Sequence, residues 1–369
     1  MGIPEKIKAI QDEMAKTQIN KATEKHLGLL KAKIAKLKRE QEDDVTKKSG
    51  MKQDGFDVRR SGDATVVFIG LPSVGKSTLL NKMTGANSTI GAFQFTTLTV
   101  VPGMMEYRGA KIQVLDLPGI IKGASTGKGL GKRILSVART ADLVLLVLDV
   151  FQPFHEDVLV NELGSIGIRL NQLPPNLTIE KAGMGGIAVA QQVKLTKISV
   201  DHLKSILHLY GIVSARVVVR EDVTSEQLAD HIAGNISYSK ALTILNKIDL
   251  VDKEFLENLK KKIKSDVIEV SANSDINIEL LKEKIYEKLK FIRIYLRPKG
   301  GETDFKDPLI ARESDTVEDI CNKLHRRLRR DFRYGLVWGK SVKFGGQRVG
   351  LNHILLDEDV LTIIKKRGT

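Results

Sequence analysis

Eight consecutive residues, Gly70-Leu71-Pro72-Ser73-Val74-Gly75-Lys76-Ser77, combine backbone freedom, a mobile cation and a hydroxyl in one short stretch. Glycines at its first and sixth places let backbone amides turn towards an anion, Lys76 can neutralise β- and γ-phosphates, and the Ser77 hydroxyl can ligate Mg2+. Thr78 adds the next amide to the cradle. This phosphate loop needs a strand before it and a helix after it. The β-rich run Thr65–Ile69 and the helical stretch Ser77–Met83 supply both. A glycine-rich turn can match by chance, and these flanking elements argue against that.

Asp116-Leu117-Pro118-Gly119 lies forty positions after Lys76. There the Asp116 carboxylate can hold Mg2+ through water and the Gly119 amide can meet a γ-phosphate. Alone the tetrapeptide would be a good turn and no more. In Asn246-Lys247-Ile248-Asp249, Asp249 can accept two hydrogen bonds from guanine, at N1–H and the exocyclic amine, which adenine cannot offer. A mispaired buried carboxylate is costly, so this stretch chooses GTP and GDP over adenine nucleotides. Ser271-Ala272-Asn273, after the strand Val267–Val270, suits a backbone contact to guanine O6. In Phe95-Thr96-Thr97-Leu98, Thr97 completes a metal set of Ser77, Thr97 and Asp116, with Thr96 the alternative. Two threonines are equally good strand formers. Ile120 occupies the position after Gly119 where many GTPases carry a water-orienting glutamine. Catalysis then falls to Lys76, Thr97 and the Gly119 amide with Mg2+, and hydrolysis by the isolated protein should be slow.

The elements that must position these groups are legible as short apolar β-rich runs: Thr65–Ile69, Lys111–Leu115, Leu143–Leu148 and Leu242–Leu245. Helical stretches, among them Ser77–Met83 and Gly131–Arg139, alternate with them. Such alternation predicts a parallel sheet covered on both faces, with the ligand at its carboxyl edge. Asp149 and Asn246 are 97 positions apart, more than one crossover helix needs, so something is inserted. Within it Val200–Leu209 and Thr224–Ile232 read as helices and Ile212–Val219 as a strand, with loops at Pro174-Pro175 and Gly183–Gly186. These outline a small α/β subdomain over about 165–238. Residues 1–50 read as a basic helical region whose Leu27, Leu30, Ile34 and Leu37 share a face; Glu42–Asp44 and Lys47–Gly50 read as a linker. The nucleotide domain spans 60–290. A last unit, 291–369, has Thr316 and Asp319 as a capping box and Ile320, Leu324 and Leu328 as the core face of one helix, then a hairpin around Gly339 and a closing strand Val360–Ile364.

The 369 residues carry a formal charge of +14, a balance that favours polyanionic partners. Lys25, Lys31, Lys33, Lys36, Lys38 and Arg39 could touch phosphates or simply solvate a helix face. Near the end, Phe332, Tyr334, Trp338 and Phe344 lie among Arg326, Arg327, Arg329, Arg330 and Arg333, a mixture suited to RNA stacking; the alternative is aromatic core with solvated arginines. The single cysteine, Cys321, excludes an internal disulfide and a thiolate-rich zinc site. No apolar run approaches the ~20 residues of a membrane helix, and Met1–Lys6 lacks a secretory pattern, so a cytoplasmic protein without a membrane partner is expected.

The strings GLPSVGKS, GAFQFTTLTVVPG, DLPGIIKGAS and NKID resemble the DRG (developmentally regulated GTP-binding) subfamily of the Obg-type GTPases over nearly the whole chain. That resemblance implies an α/β fold: a P-loop GTPase domain with a doubly wound, mostly parallel sheet, the inserted α/β subdomain, the N-terminal helical region, and a C-terminal β-grasp (TGS) domain. It implies a cytosolic eukaryotic GTPase that associates with ribosomes, works in translation and has a DRG-family regulatory protein as partner. A hydrophobic residue in place of the catalytic glutamine also fits this family. Many Obg-like relatives hold an activating K+ with asparagine at the fourth P-loop position. This chain has Ser73, so K+ stays open. The competing reading is an RNA-binding scaffold whose nucleotide is structural; a P-loop metabolic kinase is disfavoured by Asn246 and Asp249.

Overall fold

The computed structural model describes residues 2–18, 23–49, 61–84, 93–95, 98–117, 137–152, 154–234, 236–261, 263 and 265–366. The chain divides into two compact units, Met1–Gly55 with Gly167–Tyr238, and Phe56–Ile166 with Ser239–Thr369. No helix among the described residues is long and apolar enough to cross a membrane.

In the second unit a seven-stranded sheet runs in the order Val267–Glu269, Ala241–Asn246, Leu143–Asp149, Ala64–Gly70, Ala110–Asp116, Leu98–Tyr107, Phe93–Phe95. The first five strands are parallel. The sequences ATVVFIG and LVLLVLD are nearly unbroken apolar runs because helices cover both faces of a parallel sheet. The last two pairings are antiparallel, so the sheet is mostly parallel, as expected. Leu98–Tyr107 turns back through Arg108-Gly109 to Ala110, where φ values of 49° and 84° give the hairpin geometry that matches strand twist. Helix Lys76–Thr84 buries Leu79, Leu80 and Met83 on the sheet. Of the expected helix Gly131–Arg139, residues 131–136 lie outside the described residues.

The C-terminal part of this unit is a five-stranded sheet in the order Leu309–Arg312, Phe291–Leu296, Val360–Lys365, Phe332–Trp338, Gln347–Val349. Helix Val317–Leu324 packs Val317, Ile320 and Cys321 against Ile294, Val337 and Leu361. Thr316 caps it: its Oγ1 accepts from Asp319 N at 3.4 Å, and Asp319 Oδ2 accepts from Thr316 N at 2.9 Å. The helix stops earlier than the apolar spacing predicts. His325 is extended, with φ −168°, and its Nδ1 accepts from Arg327 N, starting the separate short helix Arg326–Arg330. Leu324 therefore turns outward, and the core face is Val317, Ile320 and Cys321. This sheet also completes the core of the nucleotide sheet: Phe291 and Ile310 are buried in one cluster with Phe68, Ile112 and Leu145. Arg312 pairs with Asp142, and Lys323 lies 3.2 Å from Asp63. The remaining carboxylate oxygens of those two acids accept from Thr65 N and Lys111 N at 2.9 Å, at the amino edge of the nucleotide sheet.

In the first unit the strands Leu177–Lys181, Ala215–Val219 and Ile187–Gln191 form a sheet with Ala215–Val219 central. Helices Val200–Leu209 and Ser225–Ala233 bury Leu203, Ile206, Leu207 and Leu228, together with Ala32 of the N-terminal helix Glu24–Ser49. That helix continues past Glu42–Asp44 through Ser49, where the sequence reads as a linker; Glu, Gln and Lys are good helix formers even without an apolar period. Lys31 pairs with Glu226, and Lys36 Nζ donates to the Leu209 carbonyl at 2.8 Å, so two of the candidate phosphate-binding lysines tie this unit together.

Candidate nucleotide site

Strand register aligns Phe68 with Asp116, Gly70 with Val147, and Asn246 with Asp149. The carboxyl ends of adjacent strands thus bring the phosphate loop, the candidate metal carboxylate and the base-reading stretch to one edge, where an open α/β sheet holds ligands. Close packing decides the glycines of the loop. A Cβ on Gly70 would lie 2.6 Å from the Val147 carbonyl oxygen, and one on Gly75, at φ 93°, would lie 2.3 Å from Asn246 Nδ2. Ser73 also has positive φ, 64°, a left-handed conformation uncommon for a residue with a side chain.

Lys76 follows the turn as the first residue of its helix and is buried, its Nζ donating to the Gly70 carbonyl at 3.1 Å and the Leu71 carbonyl at 2.9 Å. Burial pushes its pKa down, and the nearby Asp116 carboxylate pulls it partly back. A lysine so placed gains on meeting an anion, which restores the stabilisation that water gave its charge. At the next residue, Ser77 Oγ donates to Asp116 Oδ2 at 2.6 Å. Asp116 Oδ1 is buried and has no hydrogen-bond partner among the described residues. A carboxylate with one orphan oxygen beside a hydroxyl is a hard, all-oxygen donor set that fits Mg2+.

Asn246 is almost wholly buried, and its amide works on the protein itself. Nδ2 donates to the Val74 carbonyl at 2.8 Å, and Oδ1 accepts from Ala272 N at 3.1 Å. It joins the phosphate loop to the Ser271–Asn273 loop, so of the three backbone amides there that of Ala272 is engaged internally. Ser271, fully buried, fixes that loop: Oγ accepts from Ser274 N, and its backbone exchanges two bonds with Ile276. Lys247 is left-handed at φ 69°, and its Nζ pairs with Asp149 Oδ2 while Asp149 Oδ1 accepts from Phe151 N at 3.0 Å. Asp149 is the member of the site that motif reading passed over; its signal is an acid ending an apolar strand, as at Asp116. Asp249 is exposed on the turn Ile248–Leu250 and makes no hydrogen bond or ion pair among the described residues, leaving both carboxylate oxygens for a base. Thr96, Thr97, Gly119 and Ile120 lie outside the described residues.

Known families and proteins resemble this chain along nearly its whole length. The family described as 50S ribosome-binding GTPase matches residues 65–181, the C-terminal region of that domain matches 184–291, and the TGS domain matches 292–365. An uncharacterized GTP-binding protein of Methanocaldococcus jannaschii is 54% identical, covering 100% of this chain and 94% of that protein. The developmentally-regulated GTP-binding protein 2 homolog of Dictyostelium discoideum is 49% identical over 99% of this chain and 100% of its own length. The chain belongs to the developmentally regulated GTP-binding (DRG) protein family. Another DRG relative, the ribosome-interacting GTPase 1 of Saccharomyces cerevisiae, is 48% identical over 98% of this chain and 99% of its own. DRG membership carries the expected architecture with it: a P-loop GTPase domain and a C-terminal TGS domain.

Proposed function

We propose that this DRG protein binds GTP and GDP at the carboxyl edge of its nucleotide sheet, hydrolyses GTP slowly, and acts on ribosomes in the cytoplasm. The observation that carries the nucleotide reading is the convergence of Lys76, the Ser77–Asp116 pair and the Asn246 link on one sheet edge. Gly70 to Thr78 would cradle the phosphates, Asp249 would read guanine, Lys247 and the Ser271–Asn273 loop would flank it, and Ser77, Asp116 and Thr97 would hold Mg2+. Bound there, Mg2+ would neutralise charge on the β- and γ-phosphates. Lys76, Thr97 and the Gly119 amide are the groups we assign to catalysis.

Because Ile120 brings no polar atom to attacking water, turnover should be slow alone and should rise with a regulatory partner protein, with K+, or on the ribosome. The ribosomal reading draws on the name of the yeast relative, the ribosome-binding family description and the charge of +14. The arginine-rich C-terminal unit is where RNA contact is placed.

The test is single-turnover GTP hydrolysis by the full chain, with and without ribosomes and K+. Stimulated hydrolysis that disappears in Lys76→Ala is the expected result. No hydrolysis under any of these conditions would favour the second reading, a ribosome-bound scaffold with structural nucleotide, which Ile120 supports.

A further inference from the structure

The C-terminal sheet has one face on the helix Val317–Leu324; the other meets the nucleotide domain at Phe291 and Ile310 and is half-exposed beyond them. Pairing of Gly335 with Ile363 and Val337 with Leu361 puts those residues on the core side. The alternate positions, Tyr334, Leu336 and Trp338 with their partners Ile364, Thr362 and Val360, line the outer side. Arg348 joins them opposite Leu336, and Tyr295 opposite Val360, with Arg297 two places further on the same side. No acidic residue stands at any of these register positions.

Phe332, expected among the RNA-stacking aromatics, is buried in the core, whereas Tyr334 and Trp338 are half-buried on the outer face. Guanidinium groups lie over both. Arg348 Cζ is 4.7 Å from the Tyr334 ring centroid, Arg333 Cζ is 5.8 Å from it, and Arg297 Cζ is 5.1 Å from the Trp338 ring. The indole is also backed by the Gly345-Gly346 turn, since a Cβ on Gly346 would lie 3.4 Å from its Nε1. The ring is a fixed rest for the Arg297 plane.

Four neighbouring arginines are neutralised, whereas Arg326 and Arg327 of the short helix are exposed and have no carboxylate partner among the described residues. Arg293 pairs with Asp357 and Glu358, Arg312 with Asp142, Arg329 with Glu318, and Arg330 with Asp331. Among the described residues Arg297, Arg333 and Arg348 have no carboxylate partner, and all three are exposed. Three uncompensated, planar cations held over aromatic rings favour a ligand that is both anionic and planar. A paired helix hides its bases, while an unpaired strand offers base faces for guanidinium stacking and phosphates for the charge.

We propose that the outer face of the C-terminal sheet binds unpaired RNA, with bases stacked on the guanidinium planes of Arg297, Arg333 and Arg348. This rests on the RNA-facing reading of the C-terminal unit and adds the face, the residues and the single-stranded class of ligand.

The experiment measures anisotropy of a labelled single-stranded RNA of about twelve nucleotides, a span suited to such a platform, and of a hairpin whose stem has the same strand length. Full-length protein is compared with the triple variants R297E/R333E/R348E and R297K/R333K/R348K. Retained binding of fluorescent GDP verifies that the variants are folded. The proposal expects the single strand to bind more tightly than the hairpin, the Glu variant to lose at least about tenfold, and the Lys variant to lose most of that despite its unchanged charge. Single-strand affinity untouched in the Glu variant would overturn it. So would a Lys variant equal to the parent, or an acidic peptide that binds the parent as tightly as RNA and displaces it. If the parent binds neither ribosomes nor RNA, the broader reading fails. If it co-sediments with ribosomes and the Glu variant does so equally, this assignment alone fails.

Discussion

The Asn246 side-chain amide donates to the Val74 carbonyl at 2.8 Å, so the stretch proposed to read the base is bonded to the loop proposed to hold the phosphates. The same side chain holds Ala272 N. Asn246→Ala leaves a buried carbonyl and a buried amide unpaired, which should cost about 1–3 kcal/mol of nucleotide-free stability. Urea unfolding without nucleotide measures this, and an unchanged midpoint would show the link to be energetically idle. Affinity for GDP should fall by at least about tenfold, since about 1.4 kcal/mol is a factor of ten.

Lys76 should show the opposite balance. Its depressed pKa means that the unfolded chain holds this proton more firmly than the folded one, so the charged lysine costs nucleotide-free stability at neutral pH. That cost is fully present below the folded pKa and vanishes as pH rises through the ordinary lysine range. Lys76→Met should therefore raise the unfolding midpoint at pH 7, with a gain that shrinks towards alkaline pH, while abolishing nucleotide binding. A loss of stability at pH 7 would contradict the sign.

Asp249→Asn should shift preference from guanine to xanthine nucleotides, because the amide then offers a donor where guanine also donates. Competition between GDP and XDP for the site decides it, with a change in ratio of at least about a hundredfold expected from one mispaired polar contact between base and side chain. Unaltered guanine selectivity would remove Asp249 from the site.

Ser77→Ala should leave Asp116 in place but take away its hydroxyl neighbour. GDP binding in EDTA should change little. The Mg2+ concentration needed for half-maximal GTP binding should rise about tenfold or more, the effect of losing one metal ligand. A metal titration identical to the parent's would refute this role.

Ribosome association should weaken steeply with salt, as for any interface built on phosphate contacts. Between about 50 and 200 mM salt a surface making six or more such contacts loses about a thousandfold in affinity. Co-sedimentation across that range reads the slope directly; a flat profile would point to a protein–protein contact.

Much of the nucleotide sheet was legible because parallel strands covered on both faces appear as unbroken runs such as Leu143–Asp149, and because Gly70, Asp116 and Asn246 each end one. The strands Leu177–Lys181 and Ile187–Gln191 were not, since half-exposed strands carry polar residues that mimic a loop. The inward work of Asn246 and the Lys247–Asp149 pair depend on residues distant in sequence, which no local pattern encodes. Likewise, nothing near Phe332 and Tyr334 says which ring faces the core; the bulge between them sets it, and only strand pairing reveals the bulge.

Phe291 and Ile310 reach from the C-terminal sheet into the hydrophobic cluster of the nucleotide domain, and this makes the boundary near residue 291 a seam and not a joint. A chain cut there would leave an apolar socket open. Removing one buried phenylalanine alone typically costs about 3–5 kcal/mol, a sizeable part of a domain's stability. Exchange of this module between family members would then succeed only where the donor brings side chains that plug the same socket. The two halves should consequently be inherited together, melting in one transition and tolerating substitutions at 291 and 310 only in compensating pairs.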